Sequence, residues 1–144
     1  MNKYIFIIGA IAVILGGGIV YRVFFLPQEY VPVSTGIVRE FTVTARKDRW
    51  EFKPDVIEIN RGDRVKMRVV NEDDYDHGFG IDAFGVTKRM PANETIEIEF
   101  TATQAGEFPF YCSVPCGEGL VDGKKREHAD MIGTLKVKDI IQPQ

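Results

Sequence analysis

A chain of 144 residues carries one domain and at most an appendage. With 44% hydrophobic and 27% charged residues, it has the composition of an ordinary folded protein. The net charge of −3 supplies no basic stripe for a phosphate backbone, and Gly16-Gly17-Gly18 matches no phosphate-loop pattern, so no nucleic acid is expected as a partner.

The appendage comes first. No residue from Tyr4 to Tyr21 is charged, and apolar character resumes after Arg22 as far as Leu26. As a helix, Tyr4–Leu26 spans roughly 35 Å at about 1.5 Å per residue, enough for a hydrocarbon core of about 30 Å. Tyr4 and Tyr21 suit the two interfaces, and Arg22 can snorkel near the far end. Residues 1–27 are therefore expected to form a single-pass transmembrane anchor, with a cleaved signal peptide as the alternative; no A-x-A-like site follows the apolar run. Either reading places the rest of the chain on the extracytoplasmic side, periplasmic or outer. Residues 28–37, with Pro32 and Gly36, read as a tether.

From Val38 the pattern turns to period two. Phe41, Val43 and Ala45 alternate with Thr42 and Thr44; Val65, Met67 and Val69 alternate with Lys66 and Arg68. Ile96, Ile98 and Phe100 alternate with Glu97 and Glu99, Phe108 and Phe110 lead into Cys112, and Leu135 and Val137 close the chain. Turn signals divide these runs at Asn60-Arg61-Gly62-Asp63, Pro91-Ala92-Asn93 and Gln104-Ala105-Gly106. Residues 38–140 are expected to be an all-β domain, a Greek-key β-sandwich or barrel.

The chemistry concentrates in five side chains. Cys112 and Cys116 are the only cysteines, His77 and His128 the only histidines, and Met131 follows His128 by three. Pro115 and Gly117 make the cysteine segment a tight loop rather than a helix. Two thiolates, two imidazoles and a thioether suit copper cycling between Cu(I) and Cu(II). Zinc accepts two cysteines and two histidines as well, but it has no use for the thioether. The metal-free alternative is a Cys112–Cys116 disulfide in an oxidising compartment, although so short a loop strains disulfide geometry. Trp50, the single tryptophan, reads as a core residue.

These residues carry a resemblance. Trp50-Glu51-Phe52-Lys53-Pro54-Asp55, Asp76-His77-Gly78-Phe79 with Phe84-Gly85-Val86, Gly106-Glu107-Phe108-Pro109-Phe110-Tyr111-Cys112, and above all Cys112-x-x-x-Cys116-Gly117 with His128-x-x-Met131 resemble the cupredoxin domain of cytochrome c oxidase subunit II. The likeness runs from about Phe41 to Lys138. It implies a dinuclear copper A centre of two ions bridged by the sulfurs of Cys112 and Cys116. His77 and His128 would each bind one copper, Met131 would be a weak ligand to one, and the backbone carbonyl of Val114 a ligand to the other.

Three departures bear on that implication. Three residues separate the second cysteine from the second histidine in the family, and eleven do so here. The extra segment, Leu120–Glu127, reads as a polar loop that caps the site, presents Lys124, Lys125 and Arg126 to a partner, or adds a ligand such as Glu118 or Glu127. Position 114 is valine where oxidase subunits usually carry glutamate, and one N-terminal helix replaces the common two-helix hairpin. The chain is accordingly expected to be an electron-transfer protein, not an enzyme by itself. It would receive electrons from a cytochrome c or another small redox protein, with an oxidase catalytic subunit as a candidate partner. A mononuclear cupredoxin or copper-trafficking protein, with its site remade by the long segment, is the second reading; the metal-free disulfide domain is the third. Two finer expectations concern the surroundings: Asp76 or a backbone carbonyl should hold the free nitrogen of His77, and Glu72, Asp73, Asp74 and Asp76 should steer a basic donor.

Overall fold

A computed structural model describes residues 3–24 and 35–139. The chain divides into two compact units, residues 1–31 and 32–144. In the first, helix α1 (Lys3–Phe24) has 22 residues, and its described side chains are exposed. Among the described residues no helix is long and apolar enough to cross a membrane, so the expected span is not carried by the structure. Residues 25 and 26 of that span, and residues 28–34 of the expected tether, lie outside the described residues.

The second unit is built of strands β1 (Val38–Ala45), β2 (Phe52–Lys53), β3 (Val56–Asn60), β4 (Arg64–Asn71), β5 (His77–Ile81), β6 (Val86–Met90), β7 (Thr95–Thr101), β8 (Gly106–Tyr111), β9 (Glu118–Val121), β10 (Lys124–Glu127) and β11 (Ile132–Lys138). One sheet runs β2-β1-β4-β7 and the other β3-β11-β8-β5-β6. Pairs β1–β4 and β3–β11 are parallel, and the remaining neighbours are antiparallel. Sequence neighbours β3 and β4 lie in different sheets, as do β7 and β8, so the chain crosses repeatedly between layers.

Alternation decides which face is buried. Val65, Met67 and Val69 of β4 point inward while Arg64, Lys66 and Arg68 face solvent; Leu135 and Val137 do the same on β11. A one-residue slip would turn every one of these side chains outward, which is what fixes the register. Phe52, Phe79 and Phe110 form the aromatic centre, with ring centroids 5.4 to 5.9 Å apart. The three turn signals are realised: Asp63 N–H bonds Asn60 C=O at 3.1 Å, Glu94 N–H bonds Pro91 C=O at 3.2 Å, and Gly106 takes φ 144°.

The segment Leu120–Glu127 is not a loop. It belongs to an antiparallel hairpin in which Glu118 pairs with Glu127 and Val121 with Lys124. Asp122 and Gly123 occupy the two-residue turn with φ of 50° and 75°, the left-handed pair that matches the twist of the flanking strands.

Candidate metal centre

Three adjacent strands of the second sheet finish or start at one end of the sandwich. His77 opens β5, Cys112 follows the last residue of β8, and Met131 precedes β11. Tyr111 is paired with both Gly80 and Ile132, and Cys112 N–H bonds Met131 C=O at 3.0 Å, so the register itself brings these side chains together. Gly78 permits the approach: a Cβ there would lie 2.9 Å from Ser113 N and 3.0 Å from Val114 N, while its own N–H reaches Cys112 Sγ at 3.4 Å.

The six residues singled out in the sequence lie together. Cys112 Sγ is 3.6 Å from Cys116 Sγ, 3.7 Å from His77 Nδ1 and 3.2 Å from the Val114 carbonyl oxygen. Cys116 Sγ is 3.7 Å from His128 Nδ1 and 3.5 Å from Met131 Sδ. Ligand atoms of His77, Cys112 and Cys116 all fall within 4.8 Å of one another. Both cysteines are free, and their sulfurs stand far beyond the roughly 2.05 Å of a disulfide. His77 and Met131 are wholly buried, Cys112 and Cys116 nearly so, and His128 half-buried.

The hairpin accounts for the long spacing between Cys116 and His128. Its two strands zip together, and His128 N–H bonds Gly117 C=O at 3.1 Å. The residue after Cys116 and the histidine eleven residues further on are thus direct neighbours. Glu118 and Glu127, considered as added ligands, both pair with Lys125 at 2.7 and 3.7 Å instead. The short 3-10 turn His128–Asp130 is closed by the bond from Glu127 N–H to Asp130 Oδ2 at 2.8 Å.

The free nitrogen of His77 is held by Asp73, not Asp76. Nε2 lies 2.6 Å from Asp73 Oδ2 with both side chains fully buried, and Asp73 Oδ1 accepts the Asp48 N–H at 2.7 Å. Asp76 turns outward, taking Arg89 Nε at 2.7 Å and the Ala92 N–H at 3.0 Å. Glu72 pairs with Arg46 at 3.4 Å and Asp74 with Lys47 at 2.8 Å. With Asp73 taken by His77, every member of the acidic cluster expected to steer a basic donor already has a basic partner.

The thiols are prepared unequally. Hydrogen bonding to Cys116 holds the Cys112 thiol well below its usual range against the opposing effect of burial, with His77 and the Gly78 N–H adding to it. That same bond and burial push Cys116 up. Burial works to lower His77, but its bonds to Cys112 and Asp73 outweigh this and raise it. Burial, then the charge of Asp73, keeps the Tyr75 phenol neutral.

Trp50 is the site residue whose role the sequence does not reveal. It is a buried residue in the left-handed region at φ 48°, where a bulky side chain costs about 1–3 kcal/mol. Its indole N–H donates to Cys116 C=O at 3.3 Å, and its ring stacks on Tyr75 at 6.4 Å. Tyr75 in turn lies 5.1 Å from the His77 ring.

A family profile for the cupredoxin-like domain matches residues 27–120, about two thirds of the chain. This chain belongs to the cupredoxin-like domain family. No curated protein matches it in sequence. Among solved structures it is similar to auracyanin A, a "blue" copper protein of Chloroflexus aurantiacus, at 18% identity and a TM-score of 0.54 over 70% of this chain and 99% of that one. It is also similar to the periplasmic domain of subunit II of cytochrome oxidase from Bradyrhizobium japonicum, with 21% identity and a TM-score of 0.52 over 69% and 83%. A chain of a heme-copper terminal oxidase dimer aligns over 94% of this chain and 97% of its own, at 16% identity and a TM-score of 0.58. At these identities the likeness is one of fold.

Proposed function

We propose that this cupredoxin-like protein carries single electrons through a dinuclear copper A-type centre held by Cys112, Cys116, His77, His128, Met131 and the Val114 carbonyl. One observation carries the reading: two free thiols 3.6 Å apart, each with an imidazole Nδ1 at 3.7 Å, with a thioether and a carbonyl oxygen on the same pair. Copper bound there supplies a one-electron couple. Soft sulfur with imidazole is a donor set that fits it.

The chain's own residues prepare the site. Asp73 accepts the Nε2 proton of His77 and leaves Nδ1 as the lone-pair atom facing Cys112. Hydrogen bonding to Cys116, with His77 and the Gly78 N–H, favours the thiolate form of Cys112. Near-complete burial of His77, both cysteines and Met131 excludes water, and strand ends backed by packed sheets hold His77, Cys112 and Met131 in place. Little nuclear rearrangement then accompanies each electron.

Attachment to a membrane and placement outside the cytoplasm belong to this proposal on sequence grounds, from the uncharged run Tyr4–Tyr21. So do the partners: a cytochrome c or other small redox protein as donor, and a haem–copper oxidase catalytic subunit as acceptor. A mononuclear copper carrier is the second reading, favoured by the compact trio His77, Cys112 and Cys116 and by the likeness to auracyanin A.

The test is copper per chain and the paramagnetic resonance spectrum of the copper-loaded full chain in detergent. Two coppers sharing one unpaired electron are expected. One copper with single-nucleus hyperfine structure would replace this proposal with the mononuclear reading, and no copper would end both. Recovery of the expressed chain in the alkaline-washed membrane fraction is expected; recovery in the soluble fraction would overturn the anchor.

A further inference from the structure

The donors are not held alike. His77, Cys112 and Met131 stand at the ends of neighbouring strands of one sheet, whereas His128 lies between the hairpin β9–β10 and the short turn that leads into β11, its C=O accepting the Met131 N–H at 3.2 Å. Glu118, Leu120 and Asp122 of that hairpin are exposed, and it belongs to neither large sheet. A two-stranded hairpin is at best marginally stable alone, so something must fix its position.

Trp50 fixes it. The indole lies against Gly119 so closely that a Cβ there would stand 2.5 Å from Cζ3 and 3.3 Å from Cζ2. The same indole donates its N–H to the carbonyl of Cys116, at the base of the hairpin. Gly119 is paired with Arg126, two residues before His128, and Gly117 C=O takes the His128 N–H. Arg49, the neighbour of Trp50, reaches the hairpin tip through Asp122 at 2.7 Å, an exposed pair that adds little. A left-handed backbone at a tryptophan persists only where surrounding contacts over-determine it, and these contacts do so.

We propose that Trp50 is a positioning residue that clasps the hairpin to the cysteine loop and thereby places His128 for the second ion of the pair. This role rests on the dinuclear reading of the centre. His77 keeps its own buried bond to Asp73 at 2.6 Å and touches Trp50 only through Tyr75, so releasing the clasp frees His128 more than His77. The loss is therefore one-sided.

The test compares the full chain in detergent as wild type, Gly119→Ala, the double variant Trp50→Phe with Gly119→Ala, and Leu120→Ala as a control on an exposed hairpin position. Two readouts are taken: amide hydrogen exchange at His128 and His77 in the metal-free protein, and copper bound per chain. Gly119→Ala is expected to speed exchange at His128 about tenfold, the factor for loss of one well-made hydrogen bond, with His77 unchanged. Its copper falls from two per chain to one. The double variant relieves the clash but lacks the indole N–H to Cys116, so it keeps the faster exchange at His128 and the single copper with His77 still unchanged; Leu120→Ala behaves as wild type. Unchanged exchange and two coppers in Gly119→Ala would overturn the proposal. So would equal acceleration at His77 and His128, which marks a general loss of folding. If the wild type binds no copper while the exchange difference stands, the clasp on His128 holds and the dinuclear reading alone fails.

Discussion

Asp73 is the residue whose removal tests the internal logic of the site without any metal. Its two oxygens face two donors, the Nε2–H of His77 at 2.6 Å and the backbone N–H of Asp48 at 2.7 Å, in a position with no solvent exposure. A carboxylate accepts from both. An amide accepts with one atom only, so Asp73→Asn must leave a donor facing a donor, or drive the His77 proton onto Nδ1, the nitrogen that faces Cys112.

Leaving one buried polar group unsatisfied costs about 1–3 kcal/mol. Asp73→Ala strands the histidine altogether and should cost about 3–5 kcal/mol, the range for removing one partner of a buried pair. The order is the informative part: wild type above Asp73→Asn above Asp73→Ala. Urea unfolding of the metal-free chain, followed by the fluorescence of the buried single tryptophan, measures it. Ring nitrogen shifts of His77 report the tautomer, with the proton on Nε2 in the wild type and moved to Nδ1, wholly or partly, in Asp73→Asn. If Asp73→Asn unfolds within about 0.5 kcal/mol of wild type, the ordinary range of an inert surface change, and keeps its tautomer, the reasoning about the two donors is wrong.

Gly78→Ala should displace the cysteine loop, because its methyl would press on the backbone nitrogens of Ser113 and Val114; a cost of about 1–3 kcal/mol in the same urea titration, with weakened copper binding, is expected. Asp63→Asn tests a different end of the domain, where the buried carboxylate accepts from Thr35 Oγ1 at 2.9 Å, Asn60 N–H at 3.0 Å and Arg39 Nε at 3.2 Å. Burial works to raise the Asp63 pKa, but these bonds outweigh it and hold it below the ordinary value, so its stabilisation is present above about pH 4 and is lost as pH falls through the lowered pKa. The stability gap between wild type and Asp63→Asn should therefore be open at neutral pH and close in acid, and a pH-independent gap would refute the assignment. Replacing Glu118–Glu127 by two residues should leave the fold and copper count intact, since Gly117 and His128 already touch and closing the shorter loop changes the entropy by about 1 kcal/mol; loss of a copper would show that the hairpin does more than join its ends.

Much of the domain was legible because burial on one face forces alternation. The runs at Val65–Val69 and Ile96–Phe100 are paired strands in the structure, and the turns between them fall where Gly, Pro and Asn mark them. The donor set was legible by type, since cysteine, histidine and methionine are scarce and clustered. Two further features are readable in the sequence, yet the expectation missed them. Asp76 precedes His77, so in extended chain its side chain leaves on the opposite face, which disqualifies it as the partner of the ring. Asp122-Gly123 is a strong two-residue hairpin signal, masked by the charge around it. Trp50 was not readable. Nothing in the residue types of Arg49-Trp50-Glu51 favours the left-handed backbone that Trp50 takes in the turn closed by the Arg46 N–H to Glu51 C=O bond, and its contact with Cys116 lies more than sixty residues away in sequence.

The spacing of ligands along a chain constrains a site only through the path the backbone takes between them. The eleven residues between Cys116 and His128 run out and back along a paired hairpin, and the distance that matters is the 3.1 Å hydrogen bond at its base. The cost of the detour is mechanical rather than geometric. A short loop between two ligands is restrained by its own length, while a hairpin can pivot about its base unless another element grips it. In this chain the proposed grip comes from Trp50, ahead of β2 in sequence and remote from the metal loop. The sheet thus holds the half of the site at His77, Cys112 and Met131, and the clasp holds the half at His128. On the proposal made above, retention of a second ion turns on the packing of Trp50 against Gly119, outside the ligand residues.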